Sequence, residues 1–243
     1  MKINIKKNIY WSFIPARSGS KSIKNKNIKY INKMPLIAYT ILTANKIKCE
    51  KVVFSSDSKK YLKIASQFDK NLILHHRNKL SSSDTATDLD VFSEFCKYNI
   101  LNNNYLPEFF IHLRPTTPFR KLKIIKDSLS LFKKNKLSCS SLRSVYLMSN
   151  PSYKTFIIKK NYLCSLDQTD FDLDKYNIPK ENFKSTYLPN GYVDIVKTKN
   201  ILKNTFHGKK VLPFIIKEPV IDIDSKFDFL DAKKYIKKTK NEF

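Results

Sequence analysis

The sequence predicts an α/β fold, a mostly parallel sheet flanked by helices. Three observations carry that expectation. Short apolar runs alternate with amphipathic stretches through the first half of the chain. At 243 residues and 42% hydrophobic content, the chain can bury one sizeable core, with no internal repeats or low-complexity linker to divide it. The polar, motif-like segments follow directly after "WSFIPA", "KVVFSS" and "FFIHLRP". In open α/β sheets, ligands bind at the carboxyl ends of the strands, which is where these segments fall.

Taken in order, "IYWSFIPA" is a strand ending in a loop, and "PLIAYTILTANKI" has apolar residues at helical spacing. "KVVFSS" is a strand, "KKYLKIASQF" a helix and "NLILHH" another short strand. In "TDLDVFSEFCKYNIL", Leu89, Phe92, Phe95, Cys96 and Ile100 share one helical face. "EFFIHLRP" is a strand and "IIKDSLSLFKK" a helix. From about Ser138 the texture changes. "SCSSLRSVYLM", "YKTFIIKK" and "NYLCSL" look like antiparallel strands, and the turn-rich "DQTDFDLDKYNIPKEN" follows. This segment is expected to project from the sheet as an arm. The chain then returns with "NGYVDIVK", "KVLPFIIK" and a last helix, "SKFDFLDAKKYIKK". The expected organisation is a single domain, with residues 1–137 and 188–243 as the core and 138–187 as an inserted arm.

Composition narrows the partners. The formal charge is +25, but it is nearly all lysine and runs along the whole chain. With no basic stripe interleaved with aromatics and no nucleic-acid motif, it reads as a solvated lysine surface, and no nucleic-acid partner is expected. Such a field still draws in a phosphate-bearing small substrate. Cys49, Cys96, Cys139 and Cys164 are scattered without a CxxC pair, so neither a zinc site nor a disulfide framework is indicated. A reducing, cytoplasmic setting fits best. No apolar run reaches 18 residues, so no membrane association is expected, and the N-terminus reads as a first strand, not a signal peptide.

Two segments carry chemistry. The chain has three glycines, and Gly19 falls in "FIPARSGSKSIKNKNI", among Arg17, Ser18, Ser20, Lys21, Lys24 and Lys26. A glycine kept there suggests either a positive φ or a close ligand. Backbone N–H groups in such a turn, with flanking cations, can cradle a polyphosphate, Arg17 as a fork and Lys21 as a point charge. The alternative is an ordinary turn with solvated lysines. It is neither a Walker A loop nor a GxGxxG loop. In "VIDIDSKFDF", Asp222 and Asp224 stand two apart in an apolar strand context, so both project from one face. Adjacent carboxylates repel unless a cation lies between them, and Mg2+ takes one or two carboxylates plus substrate phosphates. The alternative is a strand end whose Asp224 or Ser225 caps the next helix. Together the two segments point to nucleotidyl transfer.

Six motifs, in order from about Ile14 to Leu230, resemble one family, the CMP-sialic acid synthetases (acylneuraminate cytidylyltransferases). They are "IPARSGSKSIKNKNI", "VVFSSDS", "RNKLSSSDTAT", "HLRPTTPFR", "LPNGYVDIV" and "IDIDSKFDF". The resemblance implies a Rossmann-like nucleotidyltransferase fold with an inserted dimerisation arm. It implies Mg2+-dependent transfer of CMP from CTP to the anomeric C2 hydroxyl of a nonulosonic acid, with release of pyrophosphate. By it, Arg17 and Lys21 bind the triphosphate and act at the α-phosphorus. Ser20 and Lys26 join them, and Asn27 meets the base or ribose. Arg77, Ala86, Thr87 and Asp88 line the cytosine pocket. Asp222 and Asp224 hold Mg2+, Asp224 with a catalytic role. Arg114, Thr116, Thr117 and Asn190 belong to the sugar site. The arm makes a homodimer and lends Lys154 and Lys180 to the partner's sugar pocket.

The chain also departs from the family pattern. Arg114 stands in place of a Gln that faces the sugar, which suggests another nonulosonate or another hold on its carboxylate. Leu188 replaces an Arg, Lys180 replaces an Arg and so loses bidentate geometry, and Asp194 stands where Tyr or Asn is usual. Alignment within the arm needs an insertion near Tyr153. His75, His76, His112 and His207 read as structural or solvated, which leaves metal activation of the hydroxyl as the economical route. Rival expectations are a CMP-activating enzyme for an eight-carbon acid sugar, whose branch carries a different first loop, and a non-enzymatic RNA-binding module suggested only by charge.

Overall fold

The structure is a computed structural model that describes residues 3–102, 105–166 and 171–239. Strand β1 (Ile5–Pro15) alternates its faces: Ile14 enters one apolar cluster, while Trp11 and Phe13 enter another. A strand buried on both sides is the mark of a parallel sheet covered by helices. Tyr30–Ile31 (β2) and Met34–Pro35 (β3) form a small hairpin that leads into α1 (Leu36–Lys46). β4 (Lys51–Ser56), α2 (Lys59–Ala65), β5 (Ile73–His76), α3 (Asp88–Leu101), β6 (Leu106–His112) and α4 (Leu122–Asn135) follow in the predicted alternation.

The second half completes the sheet. β7 (Ser141–Leu147) is followed by the hairpin of β8 (Phe156–Lys159) and β9 (Tyr162–Ser165). The chain returns as β10 (Tyr187–Lys197), α5 (Thr198–Ile201), β11 (Val211–Ile215) and α6 (Lys226–Lys238). The seven-stranded order is β11-β7-β10-β6-β1-β4-β5, with β10 alone antiparallel to its neighbours. α1, α2 and α4 cover one face; α3 and α5 cover the other. Helix α6 packs Phe229, Ala232 and Ile236 against Ile31, Tyr39 and Phe119 in a third cluster.

Three local expectations need correction. Residues 141–147 are not part of a protruding arm: β7 lies inside the main sheet, antiparallel to β10 and parallel to β11. What leaves the sheet begins after Leu147 and closes where Leu147 pairs Tyr187. There the β8–β9 hairpin pairs only with itself and exposes Ile158, Tyr162 and Leu163. The turn-rich stretch is partly outside the described residues, at 167–170; its remainder holds short 3-10 turns at Asp174–Tyr176 and Lys180–Asn182. Second, residues 221–224 form no strand; Ile223 N–H donates to Thr116 O at 2.8 Å. Third, Gly19 does not have a positive φ, and a Cβ there would meet nothing within 4 Å. Open space around the backbone, not a forced turn, is what that glycine leaves.

Candidate active site

The strand ends are stitched together before the site begins. Ala16 N–H donates to Ser55 O at 2.8 Å, Arg77 N–H to Ser56 O at 3.0 Å and Leu113 N–H to Phe13 O at 3.0 Å. The loops after β1, β5 and β6 therefore emerge side by side and line one cleft of about 570 Å3. Arg17, Ser20, Lys21, Lys26 and Asn27 come from the first loop; Arg77, Ala86, Thr87 and Asp88 from the second; Arg114 and Thr116 from the third. Asp224, near the other end of the chain, lines the same cleft.

The foremost cations share one anion. Arg17 Nη1 donates to Asp84 Oδ1 at 2.9 Å and to Ser83 O at 3.0 Å, and Lys21 Nζ lies 2.6 Å from Asp84 Oδ2. The hydrogen bond from Lys21, with the charges of Lys21 and Arg17, holds the Asp84 carboxyl below its ordinary range. Asp57, after β4, anchors the loop from beneath by accepting from Ser18 N–H at 2.8 Å and Ser18 Oγ at 2.6 Å. Neither Asp84 nor Asp57 was assigned a role from the sequence, although both stand inside quoted motifs, and an acid among cations was the available signal.

Other predicted residues are held by the protein itself. Asn27 Nδ2 donates to Arg17 O at 2.9 Å, so it shapes the cation loop; its buried Oδ1 has no partner among the described residues. Lys26, almost wholly buried, donates to Ile223 O at 2.7 Å and lies 3.3 Å from Asp224 Oδ1. Arg77 is buried against Ser55, with Nε to Oγ at 2.9 Å and Nη2 to O at 3.0 Å, and burial brings its guanidinium down to about 10. Thr87 caps α3 reciprocally with Asp90. Ser225, of the two proposed caps, does the same for α6 with Asp228.

Arg114, which stands in place of the family's Gln, is held by two carboxylates of the chain itself. Its Nη2 donates to Asp88 Oδ2 at 2.7 Å and its Nη1 to Asp194 Oδ2 at 2.9 Å. Asp88 thus holds Arg114, and two departures from the family pattern, Arg114 and Asp194, are one ion pair. Burial raises the Asp88 carboxyl, but His112, Arg114 and Arg77 pull it below its usual value. His112 lies fully buried beneath, 3.8 Å from both carboxylates, with both ring nitrogens lacking a hydrogen-bond partner among the described residues. Burial brings it down to about 4, so it is neutral near pH 7.

The sugar-side and metal residues divide. Arg120, unmarked by the sequence reading, is fully buried and staples the third loop: it donates to Tyr192 O at 2.6 Å, Arg114 O at 2.8 Å and Gly191 O at 3.2 Å. Thr117 Oγ1 bonds Asp222 Oδ1 and Gly191 O, each at 3.2 Å. Asn190 accepts from Ser144 Oγ at 2.6 Å, and its Nδ2 has no partner among the described residues. Thr117, Asn190, Asp222, Lys154 and Lys180 are not among the residues that line the cleft; the two lysines fall in 3-10 turns at Ser152–Lys154 and Lys180–Asn182. Among the described residues no group of three or more His, Cys, Asp or Glu side chains gathers as a metal cage. Asp222 and Asp224 are hard oxygen donors of the kind a cation completing its shell with phosphate oxygens takes. Without a strand at 221–224, however, they do not share one face: Asp224 lines the cleft beside Lys26, while Asp222 is bonded to Thr117.

The cytidylyltransferase family profile matches residues 12–186. The chain belongs to the cytidylyltransferase family. Relatives named for the CMP-sialic acid synthetase type are among those it matches. The N-acylneuraminate cytidylyltransferase of Escherichia coli O18:K1:H7 is 34% identical over 90% of this chain and 50% of its own length. The CMP-N,N'-diacetyllegionaminic acid synthase of Legionella pneumophila is 30% identical over 89% of this chain and 91% of its own. This chain therefore spans half the length of the first relative and nine-tenths of the second. Among solved structures, a CMP:2-keto-3-deoxy-manno-octonic acid synthetase complexed with CTP superposes with a TM-score of 0.67 at 14% identity, covering 96% of this chain and all of that one. At that identity the likeness speaks for the fold, which is Rossmann-like, as the sequence reading expected.

Proposed function

We propose that this chain transfers CMP from CTP to the anomeric hydroxyl of a nonulosonic acid and releases pyrophosphate. The observation that supports it most is the shared cleft: cations from residues 17 and 21 and a carboxylate from residue 224 open onto one volume in a cytidylyltransferase-family fold. Relatives named for neuraminate and legionaminate activation agree with that substrate class.

Arg17 and Lys21 neutralise the triphosphate and stabilise charge developing at the α-phosphorus, where positioning and electrostatics supply most of the acceleration. Asn27 offers its unpaired Oδ1 to the nucleotide, and Arg77, Ala86 and Thr87 frame the pocket wall. Asp222 and Asp224 would hold Mg2+, which supplies charge neutralisation and a lowered hydroxyl pKa when bound. Arg120 and Thr117 keep the third loop against β10, so that Thr116 and Arg114 face the acceptor. The arm carries the exposed apolar hairpin that a second copy would cover, giving a homodimer.

A pyrophosphate-release assay tests this reading, with CTP against other nucleoside triphosphates and a panel of nonulosonic acids beside the eight-carbon acid. Turnover with CTP and a nine-carbon acid is expected. Turnover with the eight-carbon acid alone would move the chain to the rival branch, and RNA binding without turnover would refute the enzyme.

A further inference from the structure

The Asp88–Arg114–Asp194 cluster has a property that neither residue type nor family membership supplies. Arg114 faces the cleft, yet its two terminal nitrogens are engaged at 2.7 and 2.9 Å by two carboxylates. Asp194 is 2% exposed and also lies 3.6 Å from Arg143 Nε. Arg114 is thereby matched by two acids, His112 lies 3.8 Å from each of them, and Arg120, which donates to Arg114 O at 2.8 Å, is a further buried cation beside the cluster. An incoming carboxylate at Arg114 would meet two fixed carboxylates already in place, which repel it. A neutral oxygen meets no such barrier and can still accept an N–H from a guanidinium whose direction is set at both ends.

Resting on the functional reading above, we propose that Asp194 is a positioning residue. With Asp88 it fixes Arg114 as a charge-compensated hydrogen-bond donor. Arg114 then selects the acceptor sugar through a neutral hydroxyl or amide oxygen, not through the carboxylate that all nonulosonic acids share.

The test is a double-mutant cycle on the full chain with CTP, Mg2+ and a panel of nonulosonic acids that differ in hydroxyl and acylamino pattern. Asp194→Asn leaves Arg114 tied to Asp88 alone, and Arg114→Gln leaves Asp88 and Asp194 without their shared cation; each is expected to lower kcat/KM for the best sugar at least about tenfold. The dissociation constant for CTP should move less than about threefold. Arg114→Gln/Asp194→Asn removes both charges and should recover about tenfold over the product of the single losses. Arg114→Lys should fall with Arg114→Gln, because one ammonium cannot span two carboxylates. The ranking of sugars should change in the double variant.

Losses that simply multiply, CTP binding that falls in step, or wild-type behaviour from Arg114→Lys would each overturn the positioning role. An equal loss across every sugar would mean that Arg114 reads the shared carboxylate, which overturns the selection claim. If Asp194→Asn does not fold, Arg114→Lys and the double variant still decide. A wild-type chain inactive on the entire panel sinks the functional reading together with this inference. An active wild type with multiplicative losses sinks this inference alone.

Discussion

Arg17 and Lys21 both hold Asp84, so phosphates that reach these cations must first displace a carboxylate. Exposed ion pairs are weak, and that displacement costs little. Asp84→Asn is therefore expected to lower KM for CTP about two- to fivefold, read from steady-state kinetics. An unchanged or raised KM would mean that Asp84 orients the cations more than it competes for them. Arg17→Ala should lower kcat about a hundredfold or more at saturating CTP, because a donor aimed at developing charge is lost. A pure rise in KM would restrict Arg17 to binding. Asp224→Ala should abolish turnover while circular dichroism stays unchanged, and near-normal rates with Mg2+ present would refute the metal assignment. The cations and carboxylates were legible one by one in the sequence, because phosphate chemistry demands those side chains. Their pairing was not. Arg114 lies 26 residues from Asp88 and 80 from Asp194, and only the sheet brings the three together.

Strand β10 concentrates several constraints. Gly191 adopts φ +67°, and a Cβ there would stand 3.0 Å from Thr117 Oγ1 and 3.1 Å from Asp222 Oδ2. Backbone strain and crowding act together, so Gly191→Ala should cost about 1–3 kcal/mol of stability in chemical denaturation and disturb the Asp222 side chain as well. Ser225→Ala removes the cap of α6 and should cost about 1 kcal/mol of stability in chemical denaturation. The β–α alternation of the first half could be read from periodicity, because each strand there feeds a crossover helix. Residues 141–147 were misassigned because their membership in the sheet depends on β10 returning antiparallel from 40 residues downstream. Likewise, the alternation in "VIDID" imitates a strand, but Ile223 is buried by packing against α6 and the β2 region, with no ladder partner beyond Thr116.

For the molecule as a whole, buried histidines set an acid limit. Burial lowers both His75 and His112 to about 4. Between that value and the ordinary histidine pKa of about 6.5, the unfolded chain binds protons that the folded chain refuses. Stability is thus complete above about pH 6.5 and is lost as pH falls toward 4, by about 1.4 kcal/mol per pH unit for each histidine. Melting temperatures measured from pH 7.5 to 4.5 should fall through that window. His112→Asn should flatten the decline, and a flat wild-type profile would contradict the burial argument. The base of the arm offers another route into the whole molecule. Leu147 and Tyr187 are direct partners on neighbouring antiparallel strands, and the described residues between them stand outside the main sheet. A tight two-residue reverse turn such as Asn-Gly can join such a pair. Some forty residues then become a detachable cassette: a shortened chain closed at that rung should keep its Rossmann-like core, and cassettes could be exchanged between relatives without re-registering a single rung of the sheet.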